Sequence, residues 1–130
     1  MTIDNARHHR SPHVQRPAAS HWPAHLRDAC PILYAIELIG QKWKLSILWY
    51  LADAEGQTLR YKELERKVVG ITPTMLTKCL HELETDNLVS RKQYPTIPPT
   101  REYTLAERGR KLIPALEEVY RWAETQMESE

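Results

Sequence analysis

Residues 71–84 read ITPTMLTKCLHELE. Thr72 can accept a hydrogen bond from an early backbone N–H, and Pro73 suits the first helical position, so the pair predicts a helix start. Leu76, Leu80 and Leu83 recur at helical spacing and require a core. Thr74, Thr77, Lys78 and His81 recur at the same spacing on the opposite side. Their hydroxyls, ammonium and imidazole are cheap to leave in water, and the same groups can touch thymine methyls and base edges. The flanking segments decide between a solvated face and a face that meets a groove.

Upstream, Pro31 and Gly40 bracket a predicted helix whose apolar stripe is Ile32, Ala35, Ile36 and Ile39. Lys42 to Ala52 reads as a second helix, apolar nearly all round and expected to be the most buried element. Glu55-Gly56-Gln57 is a turn. Arg60 to Val68 reads as a short third helix with Tyr61, Leu64 and Val68 inward. Gly70-Ile71-Thr72 then turns the chain tightly into the fourth helix, Pro73 to Asp86, with Asn87 able to cap its end. Downstream the period changes. LVSRKQY and REYTL are extended segments rich in β-branched and aromatic residues, separated by PTIPPT, which is too proline-rich to pair. They predict a hairpin with a stiff tip. Thr104 and Glu107 fit a capping box for a long last helix, which Pro114 should kink near Arg110. Leu112, Leu116, Val119, Ala123 and Met127 form a seam along it that wants a partner.

The 130 residues suit one domain with a single core. Residues 1–29, with five histidines and three prolines, read as a flexible tail, leaving 30–128 as the domain. Net charge is only +1, but its distribution is uneven. Residues 60–111 hold eleven Lys/Arg against seven Asp/Glu, whereas 112–130 hold one Arg against five Glu. A basic middle and an acidic end fit a domain that meets phosphates with its middle and something else with its end. No apolar run approaches the roughly 20 residues that span a bilayer, and no signal-peptide core is present, so a cytoplasmic protein is expected. Two cysteines 49 positions apart make no disulfide framework. No Ser/His/Asp set, phosphate-cradling glycine loop or metal-ligand spacing is visible, so neither catalysis nor a resident cofactor or metal is expected.

The third and fourth helices with their glycine turn form a helix-turn-helix, and the hairpin that follows is its wing. The expected fold is mainly α with a small β-hairpin wing. Such a unit places its second helix in the major groove of double-stranded DNA while the wing reaches the backbone or minor groove. Thr74, Thr77, Lys78 and His81 would then face the groove, with Thr72 and Met75 at its edge. Arg91, Lys92 and Arg101, with Tyr94 nearby and Arg60 before the third helix, are the candidate backbone contacts.

CPILYAIELIGQKWKLSILWYL resembles the opening of the HxlR-type winged helix-turn-helix regulators of the MarR-like superfamily. That family has a Cys-Pro start, an I-G-G-K-W step and an I-L-x-x-L helix, and here Gln41 stands where a second glycine is usual. The likeness continues through the recognition helix, an L-x-x-L-E stretch in which Asn87 replaces the usual glycine, the Y-P-x-x-P-P wing tip, and Tyr103 to Gly109. It covers about residues 30–126. It implies a sequence-specific, DNA-binding homodimer that joins through its first and last helices and binds a pseudo-palindromic operator. Some family members sense oxidants or electrophiles through a cysteine matching Cys30. That residue also sits at a helix N-cap, where the dipole favours a thiolate. Cys79 reads as a packing residue, and Trp43 and Trp49 as core residues that could alternatively line an effector pocket. The competing readings are a protein–protein interaction module and a regulator responsive to a small molecule or to a metal held by Cys30 and tail histidines such as His25.

Overall fold

A computed structural model describes residues 30–129, so the expected tail, 1–29, lies outside the described residues. The chain divides into two units between Ala35 and Ile36. In the first, the Cys30 carbonyl accepts the N–H groups of Leu33 at 3.0 Å and Tyr34 at 3.2 Å and so opens helix α1, Pro31–Ile39.

The second unit follows the expected order, with several differences. Helix α2, Lys42–Asp53, buries Ile47, Leu48 and Leu51. It is one-sided rather than buried all round: Trp43 and Trp49 are only half-buried and Tyr50 is exposed. A short strand β1, Thr58–Arg60, precedes helix α3, Tyr61–Lys67. Three residues carry too little alternation to be read as a strand, yet Leu59 is buried opposite Tyr103. Arg60 is therefore the N-cap of α3 rather than its first turn, and its backbone N–H donates to Glu63 Oε1 at 2.8 Å.

Gly70, with φ of +94°, turns the chain between α3 and helix α4, Pro73–Thr85, in a conformation that a Cβ would strain. Thr72 caps α4, its Oγ1 accepting from the Met75 N–H at 3.1 Å. Asn87 leaves α4 at φ of +61°, the left-handed step that asparagine tolerates. Strands β2, Val89–Tyr94, and β3, Thr100–Leu105, make the hairpin. The antiparallel sheet has the order β1-β3-β2.

The expected capping box at Thr104 does not form. Thr104 lies inside β3, and its hydroxyl meets that of Thr58 across the sheet at 2.8 Å. Pairing with β1 holds Thr104 in the strand, and Ala106 becomes the N-cap of a four-residue helix α5, Glu107–Arg110. Gly109 presses so closely on the Leu88 carbonyl that a Cβ would collide with fixed backbone. The last helix is broken rather than kinked. After Lys111 and Leu112 the chain restarts as α6, Ile113–Glu128, with Pro114 in its first turn. Pro114 has no N–H to give the Arg110 carbonyl, so the break falls where its ring is harmless.

One core joins these elements. Leu76, Cys79, Leu80 and Leu83 of α4 pack with the buried face of α2, with Leu64 and Val68, and with Val89, Tyr103 and Leu105 of the sheet. Lys44 is also buried there. Its Nζ meets Glu82 Oε1 at 2.8 Å and ties α2 to α4.

Candidate nucleic-acid interface

The outer face of α4 carries Thr74, Thr77, Lys78 and His81, all exposed, in one strip. Their position follows from the leucines, because burying residues 76, 80 and 83 leaves 74, 77, 78 and 81 outward. Thr72 is exposed but its oxygen already serves the helix start. Met75 is half-buried and packs against the core, so it borders the strip rather than standing on it. The Lys44 hydrogen bond to Glu82 holds that carboxyl below the usual glutamate range and outweighs the opposing effect of burial. Burial, with Glu82 adding to it, pushes the Cys79 thiol up.

The wing cations do not form one cluster. In the register Arg91 lies opposite Tyr103, Lys92 opposite Glu102 and Gln93 opposite Arg101. Side chains alternate along a strand, so Arg91 and Arg101 share the face of buried Tyr103, while Lys92 and Tyr94 share the other face with Glu102. Arg91 reaches back to α4, with Nε 3.6 Å from Glu84 Oε1, and Nη1 donates to Gln93 Oε1 at 3.3 Å. Lys92 lies 5.0 Å over the Tyr94 ring, whose hydroxyl donates to Glu102 Oε1 at 2.9 Å. Arg101 lies 4.6 Å over the Tyr61 ring.

Between the start of α3 and the wing tip is a cleft of about 320 Å³, lined by Arg60, Tyr61 and Lys62 on one side and by residues 96–101 on the other. It gathers Arg60, Lys62 and Arg101. Lys62 and Tyr61 have no place among the sequence-derived contacts, because helical periodicity assigns Tyr61 to the core. It is half-buried and packs against the core, and its hydroxyl also reaches Thr77 Oγ1 at 3.0 Å and the Pro73 carbonyl at 3.2 Å.

Away from this face, α6 leaves Val119, Tyr120, Trp122 and Met127 exposed. The Tyr120 ring stacks on Trp49 at 5.2 Å, beside a groove of about 300 Å³ that Leu45, Tyr50 and Leu116 also line. Cys30 is exposed and Cys79 buried. His25, the suggested metal partner of Cys30, lies outside the described residues. Among the described residues no three His, Cys, Asp or Glu side chains gather as a metal site. No described helix is long and apolar enough to cross a membrane.

A helix-turn-helix followed by a wing, with a polar strip on the second helix, defines a DNA-binding regulator of the winged-helix class. The HxlR-like helix-turn-helix family model matches residues 38–130, and the chain belongs to that family. It is 47% identical over 92 residues to an uncharacterized HTH-type transcriptional regulator of Halalkalibacterium halodurans, covering 71% of this chain and 80% of that one. Among solved structures, the redox regulator HypR in its reduced form superposes with a TM-score of 0.70 at 36% identity, over 75% of this chain and 94% of that one. The reduced transcriptional regulator YodB of B. subtilis gives a TM-score of 0.62 at 34% identity, over 72% and 90%.

Proposed function

We propose that this transcriptional regulator acts as a homodimer on a pseudo-palindromic operator in double-stranded DNA, with α4 in the major groove and the β2–β3 wing on the backbone. The observation that carries this reading is the exposed strip Thr74, Thr77, Lys78 and His81 on a helix whose other side is fixed in the core. Hydroxyls, an ammonium and an imidazole on a rigid helix suit base edges. Arg60, Lys62, Lys92 and Arg101 suit the flanking phosphates. The second copy is supported by the apolar side chains that α6 leaves in water. Two-fold symmetry then sets half-sites about one helical turn apart. A titration by fluorescence anisotropy against DNA upstream of its own gene, at two salt concentrations, tests the reading. Saturable binding that resists competitor DNA is expected. Binding that competitor DNA of any sequence abolishes equally would overturn the operator reading, and no binding at all would favour a protein-interaction module.

A second reading concerns the signal. Cys30 is exposed beside the first turn of α1, and two of the similar structures are of HypR in its oxidised and reduced forms. Cys30 is accordingly the candidate oxidant-sensing thiol. Peroxide should release wild-type protein from its operator and leave Cys30→Ser bound. Equal release of both would remove Cys30 from that role. The groove beside Trp49 and Tyr120 is the candidate seat for a small apolar effector.

A further inference from the structure

The residue that joins the two halves of the interface is Tyr61. It is the first residue of α3, and it lies between the recognition helix and the wing. Its hydroxyl contacts two groups of α4 one helical turn apart, the Pro73 carbonyl at 3.2 Å and Thr77 Oγ1 at 3.0 Å. Its ring carries the Arg101 guanidinium at 4.6 Å.

With one proton to each bond, the two hydroxyl contacts are both hydrogen bonds in a single arrangement. A carbonyl oxygen only accepts, so the Tyr61 O–H donates to Pro73. That hydroxyl has a single proton, so in this arrangement the Thr77 O–H donates to Tyr61 Oη. In this arrangement the Thr77 proton is spent on Tyr61, and its oxygen keeps only lone pairs for an outside group.

We propose that Tyr61 is a positioning and specificity-determining residue: it turns Thr77 into an acceptor that reads exocyclic amines in the major groove, and it seats Arg101 against the backbone. This rests on the DNA-binding reading above. In the major groove the outward-pointing donors are the N6 amine of adenine and the N4 amine of cytosine, whereas guanine and thymine offer acceptors at the corresponding edge. Thr77 therefore favours adenine or cytosine at the base it meets. A free threonine hydroxyl, able to rotate and donate, would not discriminate.

Two parts of one side chain give separable effects. Tyr61→Phe keeps a ring under Arg101 and removes the hydroxyl. Tyr61→Leu removes both. The experiment selects binding sites from a pool of random double-stranded DNA with the full chain, and then measures affinity and its salt dependence for wild type, Tyr61→Phe, Tyr61→Leu and Thr77→Val. Wild type is expected to show a base-pair position preferring adenine or cytosine that Thr77→Val flattens. Tyr61→Phe should flatten the same position, losing about tenfold in discrimination, with non-sequence-specific affinity and salt slope unchanged. Tyr61→Leu should additionally weaken binding to all sequences. Thr77→Val in the Tyr61→Phe background should cost no further discrimination at that position. Tyr61→Phe with the wild-type base profile, or a Thr77 position preferring guanine or thymine, would overturn the proposal while leaving DNA binding intact. A wild-type protein that selects no sequence from the pool would instead defeat the DNA-binding reading itself, which separates the two failures.

Discussion

Helices α4 and α6 have the same kind of apolar spacing and opposite fates. In α4 every leucine of the stripe is buried, with Leu80 at 1% exposure. In α6, Ile113 and Leu116 lean on the core, but Val119 is 60% and Met127 is 70% exposed. Spacing at helical period states that a face needs cover and does not state where the cover comes from. For α4 it comes from α2, α3 and the sheet of the same chain. For α6 the described residues leave most of that face exposed, and a second copy is the cover proposed for it. Under the proposed function this difference divides the labour: α4, held on one side by the core, would read with the other, and the exposed length of α6 would serve association.

The largest effect that would break this contrast is in the α4 core. Leu80→Ala should cost about 3 kcal/mol of stability, from lost transfer energy plus the cavity. Denaturant unfolding should show the same loss at every protein concentration. Next comes the ion pair that fixes the helix. Glu82→Ala leaves Lys44 buried without its partner and should cost about 2 kcal/mol, at the low side for a buried pair because Glu82 is partly exposed. Lys44→Met removes the buried charge and keeps the apolar stem, so it should cost clearly less in the same melts. The pair also sets a pH dependence. The Glu82 carboxyl is held below its usual range in the folded chain, so its contribution is present above the unfolded glutamate pKa. That contribution fades as pH falls through the lower folded value. Glu82→Gln should flatten this acid limb, and an unchanged limb would assign it to other carboxylates.

The reading face gives a smaller effect. Lys78→Ala should weaken specific DNA binding by about 1 kcal/mol with stability unchanged, since Lys78 is exposed. An unaltered operator affinity would take Lys78 off the groove. The smallest effect on folding is expected on α6, where Trp122→Ser should shift monomer stability by less than about 0.5 kcal/mol. Sedimentation should nevertheless show wild type as a dimer and the variant as a monomer. A loss of stability in Trp122→Ser comparable to that of Leu80→Ala, independent of concentration, would erase the distinction between the two helices.

The helices, the glycine turn and the hairpin were legible from periodicity and turn chemistry because those are local properties. The strip on α4 was equally legible, since three leucines assign the opposite side without further information. Strand β1 was not, because its three residues exist as a strand only through pairing with β3. Thr104 shows the same limit. A local rule makes it a cap, and a hydroxyl 46 residues away in the chain keeps it in the sheet. The cations of the wing look like a group in sequence because strand neighbours are adjacent in the chain. Register sends Arg91 towards Glu84 and Lys92 to the other face. Tyr61 is the sharpest case. Period 3.6 assigns it to the core, and nothing local reveals that its hydroxyl ends beside Thr77 or its ring beneath Arg101. The sequence by itself determined which elements form and which face of each is apolar, because backbone preference and helical spacing act over a few residues. Only the tertiary structure decided which polar groups meet, because those distances depend on how separate elements pack.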